Sequence, residues 1–204
     1  MKKVKKFIYL ISPNKINNYH FFYYLEKIFK TKKISYFQLR LKSETPKKII
    51  KYGKKVKKLC KKYKVKLIIN DFPLLAKKLN ADGCHIGQSD IPLLKARKIL
   101  GNKIIGTTCH NSIILAKKAI NNGVNYIALG AFYASNTKKI KFKAKINILK
   151  KVKSLTKIPI VAIGGINSSN YKKLLLNKAN FLAISGYIWN NKKLKPIEAI
   201  NKLK

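Results

Sequence analysis

The sequence predicts an α/β chain folded as a single (β/α)8 TIM barrel domain over residues 1–204. Three observations carry that prediction. Short apolar runs recur about every 25 residues, the spacing of strand–helix units. Each run is followed by a longer lysine-rich stretch with apolar residues at helical intervals. The runs are nearly continuous in their hydrophobicity, as parallel strands covered on both faces must be. A chain of 204 residues suits one domain, large enough to bury roughly 70% of its extended surface and near the lower limit of roughly 200 residues for such barrels.

In chain order, the first predicted strand is Lys6–Ser12, stopped by Pro13, and a helix follows near Asn18–Lys30. The second strand is Ile34–Lys42, and Pro46 opens a helix to Tyr63, because proline suits a first turn whose N–H has no partner anyway. Lys66–Asp71 and Gly83–Gly87 are the third and fourth strands, with helices Pro73–Leu79 and Pro92–Leu100 begun by the same signal. Gly101 ends the latter as a C-terminal glycine should. Strand Ile104–His110 leads to helix Ser112–Asn122, closed by Gly123. Strands Asn125–Tyr133, Pro159–Gly165 and Phe181–Tyr187 alternate with helices Lys145–Lys157, Ser168–Leu176 and Pro196–Leu203, Ser168 being the expected N-cap.

The same alternation fits a doubly wound open sheet, so the polar residues must decide. Nearly every predicted strand ends in them: Arg40 and Lys42, Asn70 and Asp71, His85 and Gln88, Thr107 to His110, Ser135 to Lys138, Gly164 and Gly165, Ser185. An open sheet gathers its site at one switch point, whereas a barrel draws on many strand ends around one mouth. The barrel accounts for them better, and no dinucleotide or P-loop glycine motif contradicts it.

The formal charge is +41, from 47 Lys plus Arg against 6 Asp plus Glu. Such charge invites a nucleic-acid reading. However, all but Arg40 and Arg97 of the cations are lysine, spread along the whole chain, and base and phosphate readers favour the guanidinium fork. The charge reads as compositional, and no specific nucleic-acid partner is expected. The six acids say more: Asp71, Asp82 and Asp90 lie close together in a chain otherwise nearly stripped of carboxylates. Cys60, Cys84 and Cys109 are odd in number with no paired spacing, so reduced packing cysteines are expected. The N-terminal apolar run is too short for a signal peptide, and no stretch approaches the ~18 residues of a membrane span. A cytoplasmic protein without a membrane partner is expected.

In Gln38-Leu39-Arg40-Leu41-Lys42, a period of two puts Gln38, Arg40 and Lys42 on one face. Turning two cations inward is unfavourable unless an anion arrives, so a phosphorylated ligand is implied. Asp71 and Asp90 follow neighbouring strands and could converge. Each alone could be a helix N-cap; together, between phosphate-binding cations, they suit Mg²⁺, which takes few carboxylates plus water and phosphate oxygens. Gly164-Gly165 and Ser185-Gly186 occupy the last two strand ends, where barrels bind phosphate. Ser135-Asn136-Thr137-Lys138 adds hydroxyls and a cation, with a basic loop beyond it. Two anion sites and a metal around one mouth describe group transfer with diphosphate as leaving group. His85 and His110 read as orienting or structural groups.

These strings, with Leu67-Ile68-Ile69-Asn70-Asp71, Ala81 to Asp90, Gly106 to His110 and Pro159 to Ile166, resemble thiamine-phosphate synthases in content and order. The resemblance implies a TIM barrel that condenses 4-amino-2-methyl-5-(diphosphooxymethyl)pyrimidine with a thiazole phosphate, with Mg²⁺ and by a dissociative route. It implies that Gln38, Leu39, Arg40, Leu41, Lys42, Asn70, Thr108 and Lys138 bind the pyrimidine diphosphate, with Arg40, Lys42, Thr108 and Lys138 catalytic. Asp71 and Asp90 would hold the metal. Ser135, Asn136, Thr137, Gly165, Ile184 and Ser185 would bind the thiazole phosphate. Thr108 stands where the family commonly has serine, and Ala131, Ala134 and Ser135 depart from its proline-containing strand-six end. The related thiazole tautomerases, which lack the metal carboxylates and carry a histidine at the place of Ala131, are the alternative. A basic nucleic-acid-binding module is a more distant one.

Overall fold

The computed structural model describes residues 6–134 and 142–204. Eight strands close into a barrel in sequence order: β1 (Ile8–Ile11), β2 (Ile34–Leu39), β3 (Lys66–Asn70), β4 (Gly83–Ile86), β5 (Ile104–His110), β6 (Tyr126–Gly130), β7 (Ile160–Ile163) and β8 (Phe181–Ile184). Every pairing is parallel, including β1 with β8, which closes the ring. The helices are α1 (Asn18–Lys30), α2 (Pro46–Tyr63), α3 (Pro73–Lys78), α4 (Leu93–Leu100), α5 (Ile113–Asn121), α6 (Asn147–Leu155), α7 (Tyr171–Leu176), α8 (Gly186–Trp189) and α9 (Pro196–Asn201). Among the described residues no helix is long and apolar enough to cross a membrane.

Alternation along each strand divides the molecule into two cores. The outward residues, such as Leu10, Phe37, Leu39, Leu67, Ile69, Cys84 and Ile127, pack with the helices into one large cluster. The inward residues Tyr9, Ile11, Ile68, Tyr126, Ala128, Val161 and Ala183 fill the barrel, with Tyr36, Ile104, Ile163 and Phe181 against them. Here the filling is aromatic: Tyr9 stacks on Tyr36 at 5.3 Å, and Tyr36 meets Phe181 edge-on at 5.1 Å. Gly106 makes room for this, since a side chain there would run into the Tyr126 ring.

The proline signals hold at α2 and α3, whose first turns contain Pro46 and Pro73, while Pro92 stands one residue earlier, at the cap of α4. Side-chain caps come from Thr45 Oγ1, which accepts from the Lys48 N–H, and from Ser112 Oγ, which accepts from the Leu115 N–H at α5. At α7 the expectation fails. Ser168 is not the cap; Asn167 Oδ1 instead accepts from the Ser169 and Asn170 N–H groups, and that turn delays the helix to Tyr171. Phe181–Tyr187 is likewise not one strand. The sheet ends at Ile184 and residues 186–189 coil into α8, because buried Ile188 and the Trp189 Nε1 bond to the Ile11 carbonyl (2.7 Å) turn that segment over the β1 end. Ile104–His110 is observed with the predicted bounds, whereas β2 and β3 end one residue before Arg40 and Asp71, and β6 ends at Gly130, three residues before the predicted Tyr133. Cys60, Cys84 and Cys109 are buried and unpaired.

Candidate active site

The C-terminal strand ends bring the candidate residues together. On β2 the inward series is Gln38, Arg40, Lys42: Gln38 is buried, Arg40 half-buried and Lys42 exposed, a graded descent from solvent into the barrel. Leu39 and Leu41 face the opposite way into the outer core, so only their backbone is turned toward a ligand. Arg40 is fixed from β1: Ser12 Oγ accepts its N–H at 2.9 Å, and its guanidinium donates to Asn14 Oδ1 at 2.9 Å. Burial disfavours its charge and Asp71 restores part of it, the state of a cation ready for an anion.

Four of the six acids have structural duties. Glu26 holds Lys62 and Tyr63, Glu44 holds Lys48, Asp82 binds Lys66 and the Leu67 N–H, and Glu198 accepts from the Lys195 N–H. The other two meet at the mouth. Asp71 and Asp90 are within hydrogen-bonding reach of each other, Lys42 Nζ is 3.2 Å from Asp71, and Asp90 accepts the Gly87 N–H at 2.6 Å. Neither is a helix cap, because Phe72 and Pro92 hold those positions. Asp71 sits at φ 65°, a left-handed conformation uncommon outside glycine. Burial, then the hydrogen bond to Asp71 and its charge, raise the Asp90 carboxyl above the ordinary carboxylate range, against the Gly87 N–H and Lys42. Two neighbouring carboxylates beside Lys42 could hold a further cation. Among the described residues no cluster of three or more His, Cys, Asp or Glu adds a third protein ligand. That donor set suits Mg²⁺ completed by water and phosphate oxygens better than a metal needing an all-protein shell.

Asn70 is buried at the end of β3, next to Asp71. Thr108 lies on the inward face of β5, its hydroxyl 2.8 Å from His85 Nε2, while Gln88 donates to its carbonyl. His85 Nδ1 is 2.9 Å from the Tyr126 hydroxyl, which is 2.7 Å from that of Tyr9, and Gln38 Nε2 donates to Tyr9 at 3.0 Å. Burial pushes the His85 imidazole down to about 4, with Asp90 opposing and Arg40 and Lys42 assisting, so it is neutral near pH 7. His85 is buried with both ring nitrogens in hydrogen-bonding contact, an environment open to either of the expected readings, orienting or structural. Tyr9 and Tyr126 were not singled out, because an aromatic in an apolar run reads only as core, nor were Ser12 and Asn14, which follow the first strand.

On the opposite side of the mouth, Gly164 and Gly165 have φ of 105° and 60°. A side chain on Gly164 would strike Ala131, and one on Gly165 the Ala134 carbonyl, so these glycines admit the loop after β6. Ile184 is buried in the outer core, its side chain turned from the mouth. Ser185 starts α8 and donates through Oγ to the Ser12 carbonyl at 3.1 Å. Ser135, Asn136, Thr137 and Lys138 lie outside the described residues. His110 packs its ring 4.3 Å from that of Phe142.

A family model described as thiamine monophosphate synthase matches residues 8–188. A thiamine-phosphate synthase of Pelagibacter ubique is 68% identical over 200 residues, covering 98% of this chain and 97% of its own. One from Clostridium acetobutylicum is 38% identical over 197 residues, covering 96% and 92%. Among solved structures, thiamine phosphate pyrophosphorylase from Pyrococcus furiosus superposes with a TM-score of 0.85 at 24% identity, over 98% of this chain and 94% of that one. A 3-hexulose-6-phosphate synthase from Salmonella typhimurium reaches 0.72 at 14% identity, over 96% of each, and shares the fold alone.

Proposed function

The chain belongs to the thiamine monophosphate synthase family, a transferase of thiamine biosynthesis, and from that premise we propose how its barrel mouth carries the reaction. The substrates are 4-amino-2-methyl-5-(diphosphooxymethyl)pyrimidine and a thiazole phosphate; the products are thiamine phosphate and diphosphate. The observation that best supports this arrangement is the meeting of Asp71, Asp90, Lys42 and Arg40 at one rim. Asp71 and Asp90 would hold Mg²⁺, which when bound would draw charge from the leaving diphosphate.

Arg40 and Lys42 face the diphosphate oxygens, with Lys138 added from the β6 loop. Asn70 and Gln38 hold the pyrimidine, and the Thr108 hydroxyl supplies a further donor. The pyrimidine methylene C–O bond breaks with its electron pair leaving on the diphosphate, and the thiazole nitrogen closes on the methylene cation with its own lone pair. Donors fixed before reaction stabilise the charge that grows on the diphosphate, and one such donor is worth roughly 3–4 kcal/mol. Across the mouth, Gly165 and the backbone at Ile184 and Ser185, with Ser135, Asn136 and Thr137, bind the thiazole phosphate and hold its nitrogen in line. Proximity supplies the rest, because neither reactant needs covalent activation by the protein.

We place this activity in the cytoplasm, in keeping with three buried unpaired cysteines, with phosphorylated small molecules and no specific nucleic acid as partners. Supplying both precursors and Mg²⁺ should yield thiamine phosphate and diphosphate in equal amounts. Omission of either precursor should yield neither, and product without the thiazole phosphate would contradict the reading.

A further inference from the structure

Five side chains from five strands form one file of hydrogen bonds beneath the mouth: Gln38 on β2, Tyr9 on β1, Tyr126 on β6, His85 on β4 and Thr108 on β5. All but Thr108 are buried, so solvent does not compete for their protons. The direction of the file follows from its first member. Gln38 donates through Nε2 to the Tyr9 oxygen, so the Tyr9 hydrogen goes to Tyr126. Tyr126, having accepted, donates to His85 Nδ1. A neutral imidazole that accepts at Nδ1 carries its hydrogen on Nε2 and must donate there, here to Thr108 Oγ1. The Thr108 hydroxyl, having accepted, keeps its own hydrogen for a group in the mouth.

We propose that Gln38, Tyr9, Tyr126 and His85 form a one-way hydrogen-bond chain that fixes the Thr108 hydroxyl as a donor to the leaving diphosphate, with His85 as the positioning residue. This rests on the functional reading above and adds to it a role for three buried side chains that touch no phosphate. No proton is transferred; the chain only fixes which way each O–H and N–H points. Reversing the file would put the imidazole hydrogen on Nδ1, turn the Thr108 hydrogen inward and present only lone pairs to an anion, which would repel it. The neutrality of His85 fits this role, because an imidazolium could not accept from Tyr126.

Two measurements test the chain. Nitrogen-15 NMR of the wild-type chain at neutral pH should show His85 as the Nε2–H tautomer; an Nδ1–H tautomer overturns the proposal. In the synthase assay, Thr108→Val and His85→Phe should each lower kcat about tenfold to a hundredfold, the worth of one hydrogen bond to a charged group. KM for the thiazole phosphate should be unchanged. The double variant should be no worse than the poorer single, Thr108→Ser should recover much of what Thr108→Val loses, and His85→Gln should recover part of the His85→Phe loss by donating through its amide. Losses that multiply in the double variant would overturn the chain. A wild-type protein that makes no thiamine phosphate would instead overturn the functional reading, and the tautomer measurement would still decide the chain.

Discussion

At the scale of single residues, the mouth is a balance of charges set close together before any substrate arrives. Asp90 is raised by burial and by Asp71, so its ionisation is less favourable in the folded chain than in the unfolded one. An acid whose folded value lies above its unfolded one stabilises the fold while protonated, and that contribution fades as pH rises through the raised range. Asp90→Asn should therefore raise Tm near neutral pH when no divalent cation is present. It should also abolish the rise in Tm that Mg²⁺ gives the wild type. Thermal melts with and without the ion check both directions; a lower Tm without the ion would contradict the repulsion. His85 has the opposite linkage. Its folded value of about 4 lies below the ordinary 6.5, so neutral His85 favours the fold above pH 6.5, and this is lost as pH falls toward 4. The loss amounts to about 3 kcal/mol over that window. His85→Gln should flatten the acid limb of a stability–pH curve between those values; an unchanged limb would place the titration elsewhere. The carboxylate pair was legible in the sequence because acids are so scarce here. The Tyr9–Tyr126–His85 file was not, because nothing in linear order marks which inward tyrosines meet across a barrel.

At the scale of elements, strand ends and glycines divide the work. Apolar runs and proline starts placed all eight strands and most helices, because those signals are local. α8 escaped notice because Tyr187-Ile188-Trp189 has strand-like composition, and its coiling depends on contacts with β1 made only in the closed barrel. Ser168 was misread for a related reason: Asn167, one residue earlier, makes the stronger turn. Gly164-Gly165 was noticed for phosphate, yet a side chain on either would meet the loop after β6, at Ala131 and at Ala134. Gly165→Ala would force an L side chain to φ 60°, which costs roughly 1–2 kcal/mol before any clash is counted. It would also push the loop that leads to Ser135–Lys138. Denaturant unfolding should show at least that loss, and KM for the thiazole phosphate should rise more than kcat falls. A variant with unaltered stability would mean that the loop yields without strain.

At the scale of the whole molecule, a charge of +41 is carried by a fold whose described residues contain four ion pairs. Self-repulsion of that order destabilises a compact state and is weakened by salt, the screening length falling to about 3 Å at 1 M. Adding sodium chloride should therefore raise Tm progressively; a fall would show that the mouth and surface pairs outweigh the repulsion. The same field draws in anionic substrates at low salt. The barrel was legible from alternation and from polar residues at many strand ends. The convergence of Asp71 and Asp90 was legible because the charge excess left so few carboxylates to consider.

The central claim is that Asp71 and Asp90 act together as the cation cradle for the leaving diphosphate. It is tested most directly by measuring thiamine phosphate formation against Mg²⁺ concentration in the wild type, Asp71→Ala and Asp90→Ala. Each variant is expected to lose activity at least a hundredfold, in line with the loss of a major electrostatic contribution, while keeping its fold by circular dichroism. Wild-type rates and an unchanged Mg²⁺ response in both variants would contradict the account.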